Sequence, residues 1–275
     1  MIKNISAFTF VEISAIIESH FMKNKIEQLV TQHYPNAKNG EEITRTYLGF
    51  LKDEYKSDLT KMLFATSLCA DDINVSTDFR RVLTRPFTLG GMGGLPFAGL
   101  TGITAFAHHI PEGGDAFIFY GSHIGITEDG ILGKMRRPGQ RHLTNSCGAL
   151  MLALERMKDT EEIYIPVNTE IDYQQTLLER SVMPFKQQIL EAAIPEKEIT
   201  EVTFKIIHSR LHDLVRISKN EFNCERVFLL GGIIINTSPE FSDYVDVKTF
   251  EVLNLKNLEE KNLVSILQTE AFKNL

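Results

Sequence analysis

Fourteen of the chain's 18 glycines fall between Gly90 and Gly148, about a fifth of its 275 residues. Glycine admits backbone angles closed to other residues, so this density demands a segment of tight turns and close backbone approaches. Loops of that kind, held by a rigid scaffold, commonly carry function. The flanking sequence must supply the scaffold.

It has the patterns to do so. Residues 1–57 predict helices, with Phe8, Phe10, Val11, Ile13, Ile16 and Ile17 on one stripe and Ile26, Leu29 and Val30 on another. Residues 172–219 predict two long amphipathic helices broken near Pro195, and the stretch from Leu255 predicts another. Continuous apolar runs predict strands at 62–68, 116–120, 162–167 and 227–235, and residues 245–252 alternate as a strand. Strands apolar on both faces suit a sheet covered on both sides. The expectation is a single α/β domain over 1–275: a helical N-terminal extension, 1–57, then a core, 58–275, built on a central four- or five-stranded sheet flanked by helices.

Composition excludes several function classes. A net charge of -7 disfavours nonspecific nucleic-acid binding. No run of 18 apolar residues predicts a membrane span. Three cysteines, Cys69, Cys147 and Cys224, are too few and too scattered for a secreted disulfide framework, which points to a reducing, cytoplasmic setting.

Polar residues stand where the predicted strands end. The first strand runs into Cys69-Ala70-Asp71, the second into Gly121-Ser122-His123, and Cys147 opens a predicted helix behind Ser146, a candidate N-cap. Strand ends and helix starts along one edge of an α/β sheet are where ligands bind. Two thiolates and one imidazole converging there make a Cys2His set, which leaves one position open on a tetrahedral zinc. The spacing, with 53 and 23 intervening residues, also fits two buried thiols and a buried histidine. A third reading makes Cys147 a nucleophile with His123 as its base. Cys224 stands outside the constellation and reads as a core thiol. His208 and His212, four apart, read as a surface helix face. Nothing resembles a dinucleotide or Walker fingerprint.

Four ordered blocks then carry a resemblance: CADDIN at 69–74, FTLGGMGGLPFAGLTGITAFAHHIP at 87–111, YGSHIGITEDGILGKMRRPGQ at 120–140 and NSCGAL at 145–150. Together they resemble the limiting-CO2-inducible protein B/C family, whose members look like β-type carbonic anhydrases. The resemblance implies a β-carbonic-anhydrase-like fold and a zinc-binding catalytic core that hydrates CO2 to bicarbonate reversibly. It also implies a homodimer. By motif, Cys69, His123 and Cys147 match the zinc ligands, and Asp71 matches the carboxylate that orients the attacking water. β-type enzymes pair that carboxylate with an arginine four residues after the cysteine. Ile73 stands there instead, so Arg85 is the expected substitute, with Arg80 or Arg81 next. Phe87, Leu95 and Phe97 of the glycine block are the expected CO2 pocket. Arg136, Arg137 and Arg141 are candidates to hold bicarbonate, and His108 and His109 to relay protons; solvated turns and surface histidines fit them too. The departure at Ile73 also allows a zinc- or bicarbonate-binding homologue without activity.

Overall fold

The computed structural model describes residues 10–71, 82–137, 139–159 and 170–265. In chain order the elements are α1 (Phe10–His33), β1 (Lys38–Asn39), α2 (Gly40–Glu54), β2 (Leu63–Ser67), β3 (Phe87–Thr88), α3 (Gly99–His108), β4 (Ala116–Gly125), β5 (Lys134–Arg136), β6 (Leu143–Asn145), α4 (Gly148–Asp159), α5 (Tyr173–Val182), α6 (Lys186–Glu191), α7 (Pro195–Ile217), β7 (Arg226–Asn236), β8 (Tyr244–Asn254) and β9 (Glu260–Asn262).

Among the described residues seven strands form the main sheet, in the order β1-β8-β7-β4-β2-β3, with β9 also on β8. The four long strands are the expected ones. The count exceeds four or five because β1, β3 and β9 add edges of two or three residues, too short to leave an apolar pattern. β3, β2, β4 and β7 run parallel, and β8 turns antiparallel on β7. A small hairpin of β5 and β6 stands apart. The expected strand at 162–167 lies outside the described residues. Of the helix expected from Leu255, residues 255–262 are instead a turn into β9, whose backbone pairs with Glu251–Leu253, and residues 266–275 lie outside the described residues.

Alternation along the strands divides the core between two faces. Ala116, Ile118 and Tyr120 of β4 pack with α4, α5 and α7; Phe117 and Phe119 point the other way, toward α2. On that second face α2 lays Ile43, Tyr47, Leu48 and Leu51 against Phe228 and Phe250. Asn39 starts α2 by accepting from the Glu41 and Glu42 amides, both 3.1 Å away. Pro195 opens α7, where its missing N–H costs nothing, and Glu196 and Glu198 favour the positive helix end.

β8 carries one irregularity. Gly231 pairs with Thr249 and Gly232 with Val247, so Lys248 is an extra residue, a β-bulge. Before it, Val245 and Val247 face α2; after it, Phe250 and Val252 do. Thr249 and Glu251 are thereby turned toward α7. Among the described residues no helix is long and apolar enough to cross a membrane.

Candidate metal centre

Cys69 lies two residues beyond β2, His123 near the end of β4, and Cys147 immediately before α4. β2 and β4 are hydrogen-bonded neighbours running the same way, so their ends deliver Cys69 and His123 to one edge of the sheet. All three residues are buried, and their ligand atoms lie within 4.8 Å of one another. The cysteine sulfurs are 3.4 Å apart. Tetrahedral zinc with Zn–S bonds of about 2.3 Å sets two sulfurs roughly 3.8 Å apart, so the pair needs little adjustment.

The expected break after Tyr120 does not occur. β4 continues through Gly121-Ser122-His123 because it pairs with β7 as far as Gly125 and Asn236. His123 therefore stands on a rigid strand. Its Nδ1 lies 2.6 Å from the Asn236 side-chain oxygen. With the Nδ1 proton donated there, Nε2 presents its lone pair, the arrangement that metal-ligating histidines adopt. Asn236 is oriented in turn, its amide donating to Asp243 at 3.2 Å. An Asn after an apolar strand is the one sequence signal that points to this support.

The glycine block supplies backbone to the site. The Gly93 amide donates to the Cys69 sulfur at 3.2 Å. Gly94 has φ +86, and a Cβ there would sit 2.3 Å from the Gly121 carbonyl oxygen, so the turn and β4 touch main chain to main chain. The Cys147 hydrogen bond, with help from the nearby His123, holds Cys69 well below the ordinary thiol range; burial pushes the Cys147 thiol well up.

Asp71 is anchored on two sides. Its Oδ2 accepts from the Gly148 amide at 2.8 Å, so Asp71 and not Ser146 meets the first turn of α4; the Ser146 hydroxyl lies 3.2 Å from Asn236 instead. Its Oδ1 accepts from Arg137 at 2.6 Å. This corrects the expected partner. Arg85 is exposed, at φ +49 in the loop before β3, while Arg137 comes off the end of β5 with its side chain only 13% exposed. Arg80 and Arg81 lie outside the described residues.

A cleft of about 520 Å³ opens beside the cysteines, its lining including Ala70, Asp71, Met92, Arg137, Gly148, Ala149, Leu152 and Gln175. Phe87, Leu95 and Phe97 are not in its lining. Phe87 packs on Phe106, Leu95 is buried in the core, and Phe97 meets Tyr173. The apolar wall that sequence reasoning sought there comes from Met92 and from α4. Arg136 and Arg141 are exposed. His108 pairs with Glu221 and His109 with the Ala105 carbonyl, both on the surface at the end of α3 and outside the cleft lining. Cys224 is half-buried, donates to the Arg226 carbonyl, and is pushed up to about 11 by burial.

The sequence profile of the limiting CO2-inducible proteins B/C β-carbonic anhydrases matches residues 42–254. No protein of curated function matches by sequence. Among solved structures, the chain is similar to PtLCIB4, a homologue of the limiting CO2-inducible protein LCIB, with 26% identity, TM-score 0.76, and coverage of 86% of this chain and 98% of that one. A histidine-to-alanine point mutant of PtLCIB4 gives 25% identity, TM-score 0.78, and coverage of 87% and 99%. LCIB itself shares the fold at TM-score 0.59 and 18% identity, covering 84% of this chain and 96% of that one.

Proposed function

We propose that this chain, which belongs to the limiting CO2-inducible protein B/C family of β-carbonic anhydrases, holds zinc on Cys69, His123 and Cys147 and interconverts CO2 and bicarbonate. The observation that carries the reading is the two cysteines and one histidine gathered within 4.8 Å. That donor set suits zinc by ligand type and leaves a fourth position open. Zinc bound there supplies a Lewis acid that brings the pKa of water near neutral.

The chain's own residues do the rest. Asn236 fixes the His123 ring, and the Gly93 amide supports the Cys69 thiolate. Asp71, pinned by Arg137 and the Gly148 amide, accepts a hydrogen bond from the attacking oxygen and so sets its direction. Met92, Ala149 and Leu152 offer CO2 an apolar wall, and Arg137 offers the bicarbonate product a cation in the same cleft. A Cys147 nucleophile is disfavoured, because Cys147 is fully buried, whereas a reactive cysteine must be partly exposed to reach its substrate. Ligating thiolates must stay reduced, which suits the proposed cytoplasmic location. The proposal includes a homodimer; light scattering of the full chain should return twice the 31.2 kDa chain mass.

The test is metal analysis beside stopped-flow CO2 hydration. The intact protein should carry one zinc in the cysteine centre and accelerate hydration, and Cys69→Ser should lose both. Equal rates in the two proteins would sink the reading. Zinc in the cysteine centre with no hydration above buffer would instead identify a binding homologue.

A further inference from the structure

His208 and His212 leave the same face of α7, four residues apart. By spacing alone that face reads as solvent-exposed, but it is turned inward onto β8. His212 is buried, His208 is half-buried, and their ring centroids are 4.4 Å apart. Opposite them stands Glu251, only 5% exposed, with its Oε2 2.8 Å from His212 Nε2. Glu251 faces α7 because of the Lys248 bulge; on an unbroken strand its parity would send it toward α2.

The cluster has supports of its own. The Tyr120 hydroxyl lies 2.7 Å from His208 Nδ1 and 2.8 Å from the Thr249 hydroxyl. When His208 Nδ1 donates to Tyr120 and Tyr120 donates to Thr249, the Nε2 lone pair is free for a metal. Glu260, on β9, reaches within 3.7 Å of His212 Nδ1 from the solvent side, where Arg216 also holds it at 2.8 Å. The ligand atoms of His208, His212 and Glu251 lie within 4.8 Å of one another.

We propose that His208, His212 and Glu251 form a second divalent-metal site, separate from the cysteine centre, for zinc or a cation of similar ligand preference. Two imidazoles and a carboxylate suit such ions and leave a fourth position, toward which Glu260 can turn. The bound ion ties α7 to β8. It thereby steadies the helix whose Thr200 carbonyl accepts from Ser122, the residue before His123.

Titrating the full-length protein with cobalt(II) separates the two centres, because only the cysteine centre gives an intense thiolate-to-cobalt absorption band. The parent should bind two equivalents, one with that band and one without. A Cys69→Ser, Cys147→Ser double variant should keep only the second. Glu251→Gln preserves the hydrogen bond to His212, and His208→Phe preserves the stack on Tyr120; each should weaken the second equivalent by about 10-fold or more and spare the thiolate band. Tyr120→Phe should weaken it about 10-fold. A parent that binds only the thiolate equivalent, or a folded Glu251→Gln with an unchanged second equivalent, overturns the site. A protein without the thiolate band that still binds one cobalt, lost in Glu251→Gln, upholds this site while sinking the cysteine centre.

Discussion

At Asp71 a guanidinium and a main-chain amide grip separate carboxylate oxygens. A group held from two directions offers its remaining lone pairs along few lines, which is what orienting a small nucleophile requires. Arg137→Ala should therefore lower kcat/KM for CO2 hydration about 10–100-fold while zinc content stays at its parent value. Arg137→Lys should recover only part of the loss, since lysine lacks the planar fork. Arg85→Ala, in an exposed loop, should match the parent. Cys69 and Cys147 stand out in the sequence as residues after a strand and before a helix, and it is the motif resemblance that joins His123 to them. The Asp71–Arg137 pair could not be read there, because 66 residues separate the two and only the return of the β5–β6 hairpin brings them together.

At the scale of elements, the long apolar strands were legible as local patterns. The continuation of β4 through His123 was not, since it exists by pairing with β7, which lies far along the chain. Nor was the role of the glycine block, which depends on what its backbone meets. At Gly94 a methyl group has neither the φ nor the space. Gly94→Ala should cost about 2 kcal/mol. For a domain of this size that is a fall in Tm of roughly 4–8 °C, measured by calorimetry. A variant that melts with the parent would show that the turn and β4 can separate freely.

For the whole molecule, the proposed zinc ties the ends of β2 and β4 to the start of α4, joining both arms of the parallel sheet to a covering helix. Free zinc at about 100 times its Kd should stabilise the fold by about 2.7 kcal/mol over the chelated form, seen as a Tm that falls when chelator is added. An indifferent Tm counts against a zinc on Cys69, His123 and Cys147. Cys224→Ala should leave both the zinc content and the chelator response unchanged, because that thiol bonds to the Arg226 carbonyl away from the cleft. The two-faced α/β plan was open to inspection in the sequence, since alternation and amphipathic stripes record burial directly. The order in which strands meet, and the edges of two or three residues, were not, because pairing leaves no local mark. The bulge at Lys248 is a case with reach beyond this chain. A single added codon decides which way Glu251 looks, and point substitutions at the two histidines cannot substitute for it. Among kindred chains, a carboxylate opposite that histidine pair should come and go with the length of β8 and not with its spelling.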